Sequence, residues 1–377
     1  MKTPVLRRHG AALFTALSIL PSLIFAVTAS AKVSGPCANC HTMHNSQDGG
    51  ALVHSGAGVG WNADGVLDGG TTSTTPVGSL LVADCIGCHS STTDQTIIDL
   101  GGGSRVPIVF NTTADYPVNA LAGGNFQKVA QGPEFHGYGH NVYGIAAHDI
   151  KLSAAPGNTR CSGVASSCHN TLAAAPSGQN YDRGGCRGCH YNVYHHTDNG
   201  QYRFLNSHDE PQGAYVTGIE HGDWEHPTTT GPTNHNMYKG YDKTIGAGQG
   251  QGGDGIVLKT SHSISSYCAG CHNAFHNNDG TGTAVWLRHP TDIALPTTGE
   301  YAQYNPVTNY EVQSPVAWID PANPKRDEAI VMCLSCHRVH GSEHADILRW
   351  DYSKMVAADA GDAAGDGCFV CHTTKDD

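Results

Sequence analysis

The chain has 377 residues and a formal net charge of -12, from 21 Lys and Arg against 33 Asp and Glu, a balance that excludes nucleic acid and anionic membranes as favoured partners. With 47 glycines beside 8 phenylalanines and few windows of sustained helical or strand period, an ordinary side-chain core is excluded too. The 14 cysteines and 24 histidines argue against disorder, since they are residues of bonds and ligands.

Residues 1–31 read as a secretory signal peptide, with Lys2, Arg7 and Arg8 before an apolar run from Ala11 to Val27 and the small-x-small ending Ala29-Ser30-Ala31. No later run approaches the ~20 apolar residues of a membrane crossing, so no transmembrane segment is expected. The mature chain, 32–377, is expected to be one exported domain.

Along that chain the motif Cys-x-x-Cys-His recurs: Cys37, Cys40 and His41; Cys85, Cys88 and His89; Cys186, Cys189 and His190; Cys268, Cys271 and His272; Cys333, Cys336 and His337; Cys368, Cys371 and His372. Two thiols three positions apart can add to the two vinyl groups of one haem, and the imidazole of the next residue then lies under the iron as proximal ligand. Zinc knuckles would want pairs of Cys-x-x-Cys and a reducing compartment, and a disulfide has no need of a histidine at every site. The spacing therefore predicts haem c at six regular sites.

Between the second and third of these stands CSGVASSCHN, residues 161 to 170, in which Cys161 and Cys168 are too far apart for the motif while His169 still follows directly. A loop of glycine and serines can bulge away from a porphyrin, which makes a seventh haem with His169 as proximal ligand. A disulfide between Cys161 and Cys168 is the other reading, and leaves six. Intact-mass measurement separates them: seven haem masses are expected, and six overturn the seventh site.

Distal ligands are abundant. Beyond the seven proximal histidines and His9 of the signal peptide, sixteen histidines remain, so bis-histidine ligation at every site is affordable and low potentials are expected. His44, His195, His196, His276 and His340 each follow a proximal histidine closely. A histidine three or four positions on shares a helical side with it, cannot reach over its own porphyrin, and is expected to ligate the next haem. His140, His262 and His289 are further candidates.

The sites follow no fixed period, which excludes a solenoid. The expected fold is mostly irregular coil with short α and 3-10 helices wrapped around a chain of closely stacked covalent haems, with few or no strands and helix around residues 328–340. The acidic glycine-rich segments at 276–282 and 359–367 offer oxygens to calcium but match no EF-hand spacing, and read as solvated turns.

The segments GPCANCHTMHNSQ, GHNVYG, WLRHPTD and CLSCHRVHGS, spread over most of the mature chain, resemble the outer-membrane multihaem c-type cytochromes of metal-reducing bacteria, the OmcS and OmcE kind that polymerise into extracellular nanowires. The resemblance implies a secreted, extracellular electron-transfer protein rather than an enzyme, delivering electrons to metal oxides, electrodes or other cytochromes. It also implies a homopolymer in which His44 ligates a haem of the adjacent subunit, the acceptor being the haem at Cys333, Cys336 and His337. A seventh haem departs from six-haem and four-haem relatives. The alternatives are a non-polymerising electron shuttle and a multihaem reductase of nitrite, hydroxylamine or a sulfur oxyanion; no Cys-x-x-Cys-Lys, the mark of such reductases in some families, occurs.

Overall fold

A computed structural model describes residues 32–42, 46–47, 50–51, 54–55, 60–72, 80–81, 84–111, 120–157, 172–176, 184–206, 214–226, 234–243, 255–277, 288–359 and 361–376. The expected signal peptide, His44 and the Cys161, Cys168 and His169 site lie outside these residues, and of His276 only the backbone is described.

Among the described residues helices are few and short, the longest α-helix being Gly255–Ser261 and the longest 3-10 helix Pro133–Tyr138. No helix is long and apolar enough to cross a membrane. The expectation of few or no strands is corrected, because strands of two to five residues gather into five small sheets. Strands so short never complete the alternation that reveals a strand in sequence.

The largest sheet orders Gly218–Ile219, Met237–Lys239, Ala317–Trp318, Ala329–Val331 and Ile293–Ala294. Its period-2 alternation divides two cores. Ala317 and Ile330 join Tyr238, Val216 and Met332 on one side; Trp318, Ala329 and Val331 join Tyr304, Tyr310 and Val370 on the other. The helix expected around 328–340 is thereby corrected: Ile330 pairs with Ala317 and Ile293 with Val331, so strand pairing claims the segment and only a 3-10 turn, Cys333–Ser335, follows.

A second sheet orders Phe110–Asn111, Ser90–Ser91, Gly60–Trp61 and Leu67–Asp68, and a hairpin joins Ile97–Gly101 to Ser104–Pro107. Trp61 and Leu67 pack with Ile98, Val106 and Ile108, while Ile86 and Phe110 pack with Phe126, Val129 and Val142. Among the described residues most buried apolar side chains thus fall into four clusters, and motif cysteines pack against three of them, Cys371, Cys88 and Cys186.

Candidate haem-binding sites

Each regular motif folds into one tight turn. The His41 amide donates to Cys37 O at 2.8 Å, His190 to Cys186 O at 2.9 Å, His272 to Cys268 O at 3.0 Å, His337 to Cys333 O at 3.1 Å and His372 to Cys368 O at 3.0 Å. The remaining motif is the α-helix Cys85–His89, capped by Asp84, whose carboxylate accepts from the Gly87 amide at 2.9 Å. Residues three and four apart share one side of such a turn, so both thiols and the imidazole project together.

Local chemistry sets each turn. Ser263 caps the helix Ile264–Cys268 and accepts from the Ser266 amide at 3.1 Å, and Asp366 accepts from Gly367 N at 2.9 Å ahead of Cys368. The buried strand Ala329–Val331 delivers Met332 and then Cys333, whose amide donates to Ser265 Oγ at 3.1 Å.

Five of the six proximal imidazoles face a second imidazole from elsewhere in the chain. Ring centroids stand 5.9 Å apart for His41 and His196, 6.3 Å for His89 and His195, 6.2 Å for His190 and His340, 6.1 Å for His272 and His140, and 6.2 Å for His372 and His289. Two imidazoles bound to one metal from opposite sides, with bonds of roughly 2 Å, bring their centroids to about 6 Å. Rings in van der Waals stacking would be much closer, as His235 is on Tyr310 at 3.4 Å. His340, His195 and His196, expected to reach the next haem, instead face the histidines of motifs earlier in the chain, His190, His89 and His41, because the fold turns these segments back on the preceding ones.

The second ring nitrogen is fixed in most of these. Nδ1–H donates to Pro107 O at 2.9 Å in His89, to Arg203 O at 2.8 Å in His190, to Pro156 O at 2.8 Å in His272, to Val339 O at 2.5 Å in His140 and to Pro290 O at 3.0 Å in His289. A backbone carbonyl on Nδ1 selects the tautomer that leaves Nε2 unprotonated and orients the ring, as metal-ligating histidines require. His372 sets Nδ1 3.2 Å from Glu300 Oε1 instead. His337 donates Nδ1–H to Asp346 O at 2.9 Å, but no second imidazole is paired with it among the described residues. His262 donates to Tyr215 O at 2.8 Å and lies against the Tyr215 ring, with no proximal imidazole paired to it among the described residues.

Among the described residues, no group of three or more His, Cys, Asp or Glu gathers to hold a metal ion by itself. The donors come as opposed pairs, which fits an iron whose other four ligands are supplied by a planar ring. None of the twelve motif cysteines is in a disulfide, so each motif keeps the two thiols that covalent haem attachment would use.

Neighbouring motifs touch through those cysteines. Cys85 and Cys186 are hydrogen-bonded to each other, which lowers Cys85 to about 7 and raises Cys186; Cys268 and Cys333 are bonded likewise, which raises Cys268 far above its usual range. Cys189 lies near Cys268, and Cys368 and Cys371 lie near Cys336. His195 and His196, adjacent in sequence, serve the motifs of Cys85 and Cys37. Motif cysteines thus neighbour one another from Cys85 through Cys186, Cys268 and Cys333 to Cys368, and the adjacent His195 and His196 link the motifs of Cys85 and Cys37.

Burial favours the neutral form, the one that ligates, in most of these imidazoles. It lowers His272 to about 4 and His340 to about 3, and it also lowers His89, His140, His190, His289 and His337. A histidine whose folded pKa is depressed contributes stability above its unfolded value of 6.5 that is lost as pH falls through the folded value. A haem-loaded sample is expected to keep its low-spin spectrum at neutral pH and to lose it on the acid side, where protons compete with iron for the imidazoles. Absorbance titration checks this, and loss of the spectrum on the alkaline side instead would contradict it.

Two arginines near the fifth motif carry no signal in motif spacing. Arg338, 8% exposed, donates to Leu121 O at 2.9 Å and to Gln313 Oε1 at 2.5 Å. Arg349, also 8% exposed, donates to Leu334 O at 2.6 Å, Val312 O at 3.3 Å and Ala122 O at 3.2 Å. Both hold the turn of His337 by grasping carbonyls from segments far away in sequence.

Residues 326–377, which hold the motifs of Cys333 and Cys368, match a family model described as the doubled CXXCH motif. The chain as a whole is similar to the C-type cytochrome OmcS of Geobacter sulfurreducens, 25% identical over 395 residues that cover 86% of this chain and 81% of that one. Two solved structures resemble it. The Outer Membrane Cytochrome S filament from the same organism has a TM-score of 0.43 and 19% identity, covering 86% of this chain and 85% of that one. The cryo-EM structure of the OmcS nanowires has a TM-score of 0.42 and 20% identity, covering 89% and 88%. The resemblance carried by the motifs is thus met by the whole-chain comparison.

Proposed function

We propose that the protein is a low-potential, bis-histidine multihaem c-type cytochrome that carries electrons outside the cell. The observation that carries this reading is the set of five imidazole pairs at 5.9–6.3 Å, each joining a Cys-x-x-Cys-His motif to a distant histidine. Haem, held by the paired cysteines and imidazoles, supplies a reversible one-electron carrier. The residues' own work is to keep successive carriers close and every iron closed to other ligands. The distal set is His196, His195, His340, His140 and His289 for the motifs of His41, His89, His190, His272 and His372. Haem-loaded protein is expected to be wholly low-spin by electron paramagnetic resonance in its assembled form, and several high-spin haems per chain would overturn the reading.

A seventh haem at Cys161, Cys168 and His169 remains part of the proposal. Polymerisation does as well, supported by the similarity to the C-type cytochrome OmcS over most of both chains. His44 of an adjacent copy fills the position opposite His337. His44→Ala is expected to yield monomer in electron micrographs with one high-spin haem per chain, while filaments of unchanged length would exclude the role. The reductase alternative requires one haem with an open distal position. Nitrite or hydroxylamine binding by the assembled protein would support it; the proposal expects none.

A further inference from the structure

We propose that a junction of three glycines, Gly124, Gly139 and Gly341, is a clasp that positions two axial histidines belonging to two different haems at once. It rests on the histidine pairing proposed above. Gly139 precedes His140, and Gly341 follows His340; the two backbones pair as an antiparallel bridge, while Gly124 bridges Gly341 in parallel. The His340 amide donates to Gly123 O at 2.7 Å, Asn125 N to Gly341 O at 3.0 Å and Ser342 N to Tyr138 O at 2.9 Å. The His140 ring itself donates to Val339 O, one residue before His340, at 2.5 Å. No freedom remains for one histidine to move without the other.

No side chain fits at the crossing. A Cβ on Gly341 would stand 2.6 Å from Asn125 O and 2.9 Å from Tyr138 O, and one on Gly139 would stand 2.8 Å from His340 O and 2.7 Å from Val129 Cγ1. Gly124 has φ +82°, and a Cβ there would run into Gly341 O. Gly123 adds room for the distal ring, since its Cβ would lie 3.0 Å from His340 Nδ1. Backbone cannot yield as a flexible side chain can, so a methyl group at the crossing must push the strands apart. That displacement moves His340 away from His190 and His140 away from His272 together.

Gly341→Ala in the full haem-loaded protein is expected to turn two haems per chain high-spin, with the remainder low-spin. Added imidazole should restore them, as expected where only the distal ligand is displaced. His340→Ala and His140→Ala should each turn one haem high-spin, and neither should add to the count when combined with Gly341→Ala. Gly137→Ala, where a Cβ meets nothing within 4 Å, should leave the spectrum unchanged. A silent Gly341→Ala beside effective histidine variants overturns the clasp and spares the pairing, whereas silent histidine variants overturn the pairing itself. If Gly341→Ala does not accumulate, Gly139→Ala decides by the same counts. Failure of both to load haem at all counts against a clasp, because a local device spares the motifs of Cys37, Cys85 and Cys368.

Discussion

Replacing both His195 and His196 by alanine is expected to unseat two haems at a single stroke and to break the relay at the end that begins with Cys37. The dipeptide serves His89 at 6.3 Å and His41 at 5.9 Å. On the proposed pairing adjacent residues would ligate two irons, which is why the expected loss is so large. The neighbouring chain is fastened, since Val33 N donates to His195 O at 3.0 Å and Lys32 Nζ bonds Glu220 at 2.6 Å and Gln201 O at 2.9 Å. The double variant should therefore keep its fold while two haems per chain become high-spin and conductance along assembled material drops by more than tenfold. Each single variant should convert one haem. A double variant with an unaltered spin count would mean that neither histidine is a ligand.

The second large effect is expected at Arg349. Its guanidinium satisfies three carbonyls, on Leu334, Val312 and Ala122, so Arg349→Leu leaves all three without their donor. Charged hydrogen bonds of this kind, together with the desolvation left behind, amount to roughly 3–5 kcal/mol. Urea unfolding followed at the haem spectrum should find a loss of that size, and a loss below about 1 kcal/mol, the net worth of one ordinary hydrogen bond, would contradict the account. The charge also acts on the fifth site, because Arg349 lies close enough to Cys336 and His337 to affect their ionisation. A fixed cation favours the reduced iron, so Arg349→Leu should move one midpoint potential downward while Arg349→Lys largely retains it.

Much of the site was legible in the sequence, and for a physical reason. Covalent attachment needs thiols at fixed spacing, so Cys37 through Cys371 announce themselves, and the turn geometry that follows from that spacing makes His340, His195 and His196 look away from their own motifs. Which motif each one meets was not legible, because it depends on how strands of two or three residues bring distant segments together. The pairing of Ile330 with Ala317 is of this kind, and it turned an expected helix around 328–340 into a strand. The carbonyl partners of the ring nitrogens and the grip of Arg338 and Arg349 were invisible too, since any residue supplies a carbonyl.

The distances along the chain between facing histidines have one more consequence. His41 and His196 are 155 positions apart, and His289 and His372 are 83 apart. An iron joining such a pair is a cross-link as well as a carrier, and closing loops of this length removes chain entropy worth about 4–5 kcal/mol apiece if the bond acts as a disulfide does. Four small apolar clusters then suffice where a larger protein would need one continuous core. Unlike a disulfide, such a link is not severed by thiol reductants, so on the proposed pairing the wiring would also be the rivet-work that holds a glycine-rich chain together.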